Sequence, residues 1–221
     1  MTKRLERIFS EIPTCSSFAD VGCDHGFIAE KMILSGKCNR VIISDVSEPS
    51  LQKAKKLLKK YLDIGVVTAI CTDGLIGIDS DTEVVLIAGM GGEEIIKILT
   101  NSTFLPPILV LQPMKNVDKV RKSLFALGYG ITKDYLFYDK KYYNLLVCKL
   151  GTSCKEYSEL EYVFGRDNLA CQSEDFKLYL KKEIEVMQNC YPLIENQAEK
   201  QQVLQKLNLY KEVINGNKKD Y

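Results

Sequence analysis

The sequence predicts an α/β protein built on a doubly wound, mostly parallel sheet, and two patterns carry this prediction. Between residues 18 and 150, short apolar and β-branched runs alternate with helical patterns, which is the order that right-handed βαβ units produce. A turn with two acids and two glycines, residues 20–26, follows the first run, and Asp45 ends the second run, 23 residues after Gly22. Asp45 is therefore placed to accept hydrogen bonds from the ribose of a nucleoside cofactor.

Seven apolar runs are predicted as strands, at residues 18–22, 41–45, 66–71, 83–88, 108–112, 131–138 and 143–150. Helices are predicted between them at about residues 25–36, 48–62, 91–101 and 115–127, with one more before the first strand. The fourth run is apolar throughout, as expected of a strand in the middle of a sheet. Only residues 139–142 separate the last two runs, too few for a helical crossover, so these strands must pair antiparallel. A parallel sheet ending in an antiparallel hairpin is the layout of class I S-adenosylmethionine (SAM) methyltransferases.

After residue 151 the strand-like runs stop and apolar residues recur at helical spacing. They fall at Phe176, Leu180, Ile184, Met187 and Tyr191, and again at Val203, Leu207, Tyr210 and Ile214. With Pro192 as the break, this pattern predicts two antiparallel helices. We therefore predict a SAM-binding methyltransferase domain at residues 1–152 and a coiled-coil-like helical hairpin at residues 153–221. The alternative is that these helices cap the core of the sheet.

The composition is that of an ordinary globular protein, with 46% hydrophobic and 27% charged residues in a chain of 221. The formal net charge is +1, so any affinity for nucleic acid must come from local basic patches. The eight cysteines include no C-x-x-C pair, and no apolar run approaches about 20 residues. These features predict reduced thiols in a cytoplasmic protein without an export signal or membrane span.

The turn at residues 20–26 favours SAM over a dinucleotide as the cofactor. It lacks the G-x-G-x-x-G spacing that cradles a pyrophosphate. Acids at positions 20 and 24 would repel a diphosphate, but they suit a cationic sulfonium and an ammonium group. Two plainer readings stay open: a βα turn that binds nothing, and Asp45 as a helix N-cap.

Other predicted cofactor contacts follow the third and fourth strands. Asp73 lies where SAM enzymes place an acid or amide near the adenine amine. Taken alone, the segment at residues 71–74 would be interpreted only as a turn. The full predicted cofactor-binding set is Asp20, Gly22, Cys23, Asp24, His25, Gly26, Asp45, Val46, Thr72, Asp73, Gly74, Ala88, Gly89 and Met90.

The predicted catalytic residues are Gly89, Met90, His25 and Gln112. The glycine-rich run at residues 89–92 offers bare backbone that admits a flat base close to the methyl donor; the alternative is a helix-opening turn needed for tight packing. Gln112 ends the fifth strand and either bonds a base edge or caps the next helix. His25 is the single histidine. It either lines the pocket or polarises the substrate, or else it caps or packs in the first helix. No spacing resembles a metal motif, so no metal is expected.

Basic residues near the same edge of the sheet are predicted to contact RNA. They are Lys115 and Lys119 after the fifth strand, and Lys140, Lys141 and Tyr142 at the hairpin tip, residues 140–143. Lysines there would hold phosphates while tyrosines offer stacking faces. A lysine-rich helix is, however, more often a solvated surface.

Taken together, these motifs resemble the bacterial tRNA (adenine-22)-N1-methyltransferase family, known as TrmK. The resemblance spans about residues 1–215 and rests on residues 20–25, 44–46, 73–75, 87–92 and 109–113. It implies SAM-dependent methylation of adenine N1 in the D-arm region of tRNA, with a C-terminal helical hairpin. We expect tRNA as the partner and a monomer or weak dimer.

The chain departs from the family pattern at two positions. Cys23 stands where the family usually has Ser or Thr, and Met114 where it usually has Asn. The first leaves SAM binding plausible because the turn acts through its backbone; the second puts in doubt a substrate contact by the side chain at 114. A SAM-dependent methyltransferase of a small molecule or protein, and a noncatalytic interaction module, remain alternatives.

Overall fold

The computed structural model describes residues 1–216 and contains a seven-stranded sheet with helices on both faces. The strands are β1 (Phe18–Val21), β2 (Val41–Asp45), β3 (Val67–Cys71), β4 (Val84–Ala88), β5 (Ile108–Gln112), β6 (Tyr129–Asp139) and β7 (Lys141–Leu150). Their order is β3-β2-β1-β4-β5-β7-β6. β1 to β5 are parallel, and β7 runs antiparallel to both of its neighbours. The predicted mostly parallel sheet with a terminal hairpin is confirmed.

Ten α-helices connect and follow these strands in the described part of the chain. They are α1 (Lys3–Glu11), α2 (Phe27–Leu34), α3 (Glu48–Leu57), α4 (Lys59–Asp63), α5 (Gly92–Thr100), α6 (Val117–Ala126), α7 (Glu159–Phe164), α8 (Arg166–Cys171), α9 (Glu174–Cys190) and α10 (Gln197–Ile214). The single helix predicted at residues 48–62 is divided at Leu58, whose backbone leaves the helical region at ψ 10°. No helix within residues 1–216 is both long and apolar enough to cross a membrane.

The sheet is buried on both faces because each face packs against a different set of helices. On one face, Ile8 of α1, Met32 of α2 and Leu51 of α3 are fully buried in one core. On the other face, Ile95 of α5 and Leu124 of α6 are fully buried in a second core. The strands between these layers read as continuous apolar runs for this reason.

The hairpin of β6 and β7 is longer and tighter than predicted. The strands pair as far as Asp139 with Lys141, and only Lys140 separates them, in the left-handed conformation at φ 63°. The prediction of a tip at residues 140–143 is therefore wrong: Lys141 and Tyr142 lie in β7, because a left-handed residue reverses the chain in the space of one residue.

The predicted pair of C-terminal helices is present as α9 and α10, joined by a 3-10 turn at Tyr191–Leu193. Their apolar stripes form a third core with Phe164, including Phe176, Leu180, Leu207 and Tyr210. The sequence prediction omitted α7 and α8, which precede this hairpin, and residues 217–221 lie outside the described part of the chain.

The segment that covers the core of the sheet is α7, which was not predicted, and not the predicted helical hairpin. Tyr157 and Tyr162, before and within α7, are buried in the second core of the sheet, whereas α9 and α10 pack mainly on each other. A boundary at residue 152 stays a prediction.

The free edge of β6 is covered by polar side chains from the C-terminal helices. Backbone N–H groups at three alternate positions of β6 donate to them. The pairs are Asp134 with Asp167 at 2.8 Å, Leu136 with Asn168 at 2.9 Å and Tyr138 with Asp175 at 3.0 Å. An edge strand leaves every second N–H without a ladder partner, so these bonds close the edge and hold α8 and α9 in register with the sheet.

A buried ion pair joins the sheet, α6 and α7. Arg121 donates from Nε and Nη2 to the two carboxylate oxygens of Asp134, both at 2.8 Å, and each side chain is 1% exposed. Arg121 Nη1 also donates to the backbone carbonyl of Tyr162 at 2.9 Å. The bidentate geometry satisfies most donors of the guanidinium, which is the condition under which a buried pair is tolerated.

Replacing Asp134 by alanine is expected to lower the free energy of unfolding by about 3–5 kcal/mol, because it leaves the Arg121 charge buried and unpaired. The control is Lys59→Ala, which removes an exposed pair with Asp63 and should cost no more than about 1 kcal/mol. Urea unfolding of both variants measures the difference. Equal losses in the two variants would contradict the proposed importance of the buried pair.

Candidate cofactor and substrate site

The carboxyl ends of β1 to β5 meet at one edge of the sheet, and the loops that follow them form a continuous rim. Backbone hydrogen bonds continue the strand pairing into these loops. They are Gly22 N–H to the Ser44 carbonyl at 2.8 Å, Thr72 N–H to the Asp45 carbonyl at 3.1 Å and Gly89 N–H to the Gln112 carbonyl at 3.0 Å. Ligands of open α/β sheets bind at this edge, and the structure brings most of the predicted site residues to it.

The turn after β1 needs both of its glycines, for different reasons. Gly22 and Gly26 have φ of 72° and 73°, in the left-handed region that favours glycine. A β-carbon on Gly26 would lie 3.1 Å from the β-carbon of Ala54 in α3, and one on Gly22 would overlap the methyl group of Met90. Gly26 therefore allows α2 and α3 to pack, whereas Gly22 allows the loop after β4 to approach the turn after β1.

Asp45 supports the turn and does not cap a helix. Its Oδ1 accepts from the Ser47 N–H at 2.9 Å and its Oδ2 from the Asp24 N–H at 3.3 Å. The N-cap of α3 is Ser47, whose side chain accepts from the Ser50 N–H, so the N-cap alternative for Asp45 is excluded. The next residue, Val46, is 71% exposed and gives this part of the rim an apolar surface.

Below the turn lies a buried acid that is poorly compensated. Asp20 is 6% exposed, and burial raises the pKa of its carboxyl to about 7, although a backbone hydrogen bond from Ala29 opposes the shift and the nearby Asp45 adds to it. Burial also raises the pKa of the Cys23 thiol, as do the charges of Asp20 and Asp45. Additional negative charge is unfavourable here, and a cation is favoured.

Asp73, predicted near the cofactor adenine, lies after β3 at the same edge. Its carboxylate is largely exposed and is 3.7 Å from Lys97 Nζ. Gly74 has φ 62°, and a β-carbon there would approach the side chain of Ile98 to 2.9 Å. Asp73 is thus available to a ligand, whereas the glycine beside it serves packing against α5.

His25 lies on the exposed rim just before α2. Its Nδ1 is 2.6 Å from Asp24 Oδ2, and its ring stacks on Phe27 in the first turn of α2 with centroids 5.4 Å apart. The N-cap of α2 is Gly26, so the capping alternative for His25 is excluded, whereas its ring does pack on this helix.

The glycines of residues 89–92 are not equivalent. A β-carbon on Gly92 would overlap the backbone oxygen of Lys115, to which the Gly92 N–H donates at 3.0 Å. Around Gly91 no atom lies within 4 Å of that position, and Gly89 has φ 84°. Gly92 therefore fits the tight-packing alternative. The space beside Gly91 is open, whereas Arg4 Nη2 lies 3.1 Å from the β-carbon position of Gly89.

Gln112 does not present a free amide at the rim, so the predicted direct contact with a base needs correction. Its side chain is fully buried, because its Oε1 accepts from Arg4 Nε at 2.9 Å and its Nε2 is directed at the Pro113 carbonyl and Met114 Sδ. Gln112 instead holds Arg4 at the edge of the sheet.

Arg4 is the site residue that sequence reasoning missed. Its Nη2 lies 3.1 Å from the position of a β-carbon on Gly89, and its guanidinium is 5.3 Å from the ring centroid of Tyr143. The Arg4 backbone N–H donates to Asp139 at 2.7 Å, which fastens the first turn of α1 to the hairpin. One signal was available: Arg4 is four residues before the fully buried Ile8, and residues spaced by four share a helix face.

The predicted RNA-contacting residues fall into two groups. Lys115, Lys140 and Lys141 are exposed, whereas Lys119 Nζ is bound to Glu93 at 2.6 Å. Tyr142 is half-buried, and its ring contacts those of Tyr138 and Tyr179 at centroid distances of 5.1 and 5.3 Å.

A cleft of about 460 Å³ separates the loop after β5 from the C-terminal helices. Its lining includes Met114, Lys115, Tyr142, Tyr179 and Lys206. It therefore opens beside the glycine-rich rim and combines aromatic faces with exposed cations. Within residues 1–216, no group of three or more His, Cys, Asp or Glu side chains is arranged to bind a metal.

The fold and the rim together define a class I SAM-dependent methyltransferase. The residues of the rim fit SAM. Asp45 can offer its carboxylate oxygens to a ribose diol, and Val46 can offer an apolar surface to a base. The buried Asp20 can compensate the charge of a cation. The strand order with an antiparallel β7 agrees with this class.

Comparison with known proteins identifies the family. Residues 1–146 match the family described as Methyltransferase domain. The tRNA (adenine(22)-N(1))-methyltransferase of Bacillus subtilis is 27% identical over 230 residues, covering 97% of each chain. A Mycoplasma pneumoniae protein, provisionally named a tRNA methyltransferase, is 32% identical over 151 residues, 67% of this chain and 71% of its own. Streptococcus pneumoniae Sp1610, solved in complex with SAM, is 26% identical with a TM-score of 0.86, covering 97% of this chain and 99% of that chain.

The chain belongs to the Methyltransferase domain family and, within it, to the bacterial TrmK family.

The pH dependence of stability tests the buried acid. Because the pKa of Asp20 is about 7 in the folded state and 3.8 ordinarily, the folded protein holds a proton that the unfolded chain has lost between about pH 4 and 7, and stability falls as the pH rises through this window. Asp20→Asn should remove a loss on the order of 4 kcal/mol. Urea unfolding at a series of pH values, without added cofactor, measures it.

Asp24→Asn is the control for this experiment. Although partial burial acts to raise it, hydrogen bonds from His25 and Lys53 lower the pKa of Asp24. Removing that carboxyl should therefore not flatten the pH profile as Asp20→Asn does. Parallel profiles for wild type and Asp20→Asn would show that Asp20 is not the titrating group.

Proposed function

We propose that this protein transfers the methyl group of SAM to N1 of adenine 22 in the D-arm region of tRNA. The observation that carries the proposal is the match, over 97% of both chains, to a relative named for this reaction. The loops that form the cofactor rim are all present in this chain. When bound, SAM supplies a methyl group activated by its sulfonium. The residues proposed to hold it are the predicted set around Asp20, Asp45 and Asp73.

The reaction requires positioning more than proton transfer. Adenine N1 has an in-plane lone pair and is unprotonated at neutral pH, so the acceptor needs no general base. Orientation of two reactants can contribute effective molarities on the order of 10⁵ M or more. We place the target base against the bare backbone of Gly89 and Gly91, where a β-carbon is absent. Because N1 lies on the Watson–Crick edge, the base must be unpaired or flipped out.

Methyl transfer to unmodified tRNA transcripts is the direct test. With labelled SAM, we expect incorporation into a transcript with adenine at position 22 and none when guanine replaces it. Incorporation that survives the replacement would contradict the assigned base. Absence of incorporation with SAM bound would favour a small-molecule or protein acceptor, and absence of both would favour a noncatalytic module.

Arg4 is proposed to position the substrate base. Gln112 and Tyr143 fix its guanidinium beside Gly89, so its free donors point to the edge where the base is placed. Arg4 thus takes the place that the sequence assigned to Gln112, with Gln112 orienting it from behind.

Arg4→Ala is expected to lower kcat/KM for tRNA by about 10- to 100-fold, the value of one hydrogen bond to a charged group. The affinity for SAM, measured by calorimetry, should change little. Lys3→Ala is the control, since Lys3 is an exposed cation next to Arg4 in α1. Equal effects of the two substitutions would indicate that only net charge matters.

The cleft beside the rim is proposed to receive the RNA strand next to the target base. Lys115 and Lys206 supply charge on opposite sides, and Tyr142 and Tyr179 supply ring surface between them. Lys140 and Lys141 extend the basic surface to the hairpin tip. RNA backbones are held by such cations and unpaired bases by such rings.

Replacing Lys115, Lys140 and Lys141 together by alanine should raise KM for tRNA. The dependence of KM on salt concentration should also weaken, by the equivalent of about two to three phosphate contacts. In the control variant, Lys56, Lys59 and Lys60 are replaced by alanine. Lys56 lies at the end of α3, which runs away from the rim, and the other two lie in α4, at the opposite edge of the sheet. Unchanged, salt-insensitive turnover in the first variant would contradict RNA binding by this surface.

We further propose that the protein works in the cytoplasm as a monomer or weak dimer. The cysteines support a reducing compartment, because all eight are free thiols in the structure.

A further inference from the structure

Two cysteines lie side by side at the amino edge of the sheet, opposite the cofactor rim. Cys15 is in the loop between α1 and β1, and Cys38 is in the loop between α2 and β2. The Cys15 N–H donates to the Lys37 carbonyl at 2.9 Å, and each thiol shifts the pKa of the other. A disulfide needs α-carbons about 4.4–6.8 Å apart, and this backbone bond between position 15 and the residue before 38 places the two cysteines on adjacent segments.

The two sulfurs have unequal acidity. The interaction with Cys15 lowers the pKa of Cys38 to about 7, and backbone hydrogen bonds at Arg40 and Asn39 contribute, against the effect of burial. The pKa of Cys15 is raised by the same interaction and by burial. Around neutral pH the pair therefore holds one proton between two sulfurs, which makes one of them a nucleophile.

Small molecules can reach this pair. Cys15 and Cys38 line an open groove of about 490 Å³ together with Lys37, Tyr61 and Ile64. Cys38 itself is 4% exposed and Cys15 is half-buried, so a small oxidant in the groove reaches the pair from the side of Cys15. The charged groups nearest the pair are Lys37, Arg40 and Glu83.

We propose that Cys15 and Cys38 form a redox pair that hydrogen peroxide oxidises to a disulfide. In the first step the Cys38 thiolate attacks one peroxide oxygen, the O–O bond breaks, and the departing hydroxide takes up a proton to form water. In the second step the Cys15 sulfur, having lost its proton, attacks the Cys38 sulfur of the sulfenic acid. The S–S bond forms, the S–O bond breaks, and a second water leaves. Two thiols are oxidised by two electrons and one peroxide is reduced to two waters.

The bridge would join the segments that precede β1 and β2. Lys37 Nζ donates to the carbonyls of Phe9 and Ile12 at 3.1 and 2.6 Å, so the end of α1 is fastened to the same segment. Cross-linking these segments restricts the unfolded chain and should raise the midpoint of thermal unfolding. The proposal concerns the edge away from the cofactor rim and does not depend on the proposed methyl transfer.

Peptide mapping of the full chain tests the pair. The reduced protein is treated with stoichiometric hydrogen peroxide, free thiols are alkylated with N-ethylmaleimide, and the chain is digested with trypsin and endoproteinase Asp-N. The second protease cleaves before Asp20 and separates Cys15 from Cys23. We expect a linked peptide containing Cys15 and Cys38 that dithiothreitol releases, formed at least about tenfold faster than modification of the exposed Cys171 and Cys190, as expected for thiolate reactivity.

Two single variants separate the steps. Cys15→Ser should leave Cys38 as a sulfenic acid that dimedone traps, and Cys38→Ser should abolish the rapid reaction. Cys190→Ser, at an exposed thiol, should behave as wild type. Linkage of Cys38 to Cys23, direct conversion of Cys38 to sulfinic acid in the wild type, or equal rates at all cysteines would overturn the proposal.

Discussion

The buried ion pair of Arg121 and Asp134 is the interaction on which the arrangement of the C-terminal half depends. It fixes α6 to β6, and the third group on the guanidinium, the Tyr162 carbonyl, fixes α7. Three side-chain acceptors lie along the free edge of β6 and hold α8 and α9 against it. The cleft beside the rim is bounded by α9 and α10, so its width follows from a charge pair buried beneath it. The shape of the cleft is thus determined by a buried polar contact, one partner of which, Arg121, also lines it.

The site itself is held mainly by backbone. The pairing of the strands continues past their carboxyl ends into the loops, and the glycines at positions 22 and 92 let those loops touch. Side chains then add charge: an uncompensated acid at Asp20 and an oriented cation at Arg4. The acid lies below the turn after β1 and the cation beside Gly89 after β4, which suits a cationic cofactor at the first and a polar base at the second. The division of charge is consistent with methyl transfer between two bound molecules.

Most of the fold was accessible from sequence because apolar runs and helical spacing are local signals. The seven strands, the terminal hairpin and the pair of C-terminal helices all follow from them. The capping box of Ser158 and Glu161 was a local signal for α7 as well, and it was overlooked. The role of Arg4 is not local, since its partners Gln112 and Asp139 are more than 100 residues away. Likewise, Gly91 and Gly92 are the same residue type in the sequence, and only the structure shows that their surroundings differ.

The three acceptors along β6 also constrain how the length of this chain can vary. Since they meet alternate residues of one strand, inserting a single residue within β6 would turn every following donor to the other side of the ladder and break the bonds of those donors to α8 and α9. Length changes are expected instead at the turn between α9 and α10, Tyr191–Leu193, where Leu193 is 80% exposed. That turn is accordingly the natural point at which to graft a reporter peptide or fluorescent label, and the place where relatives should differ most in length.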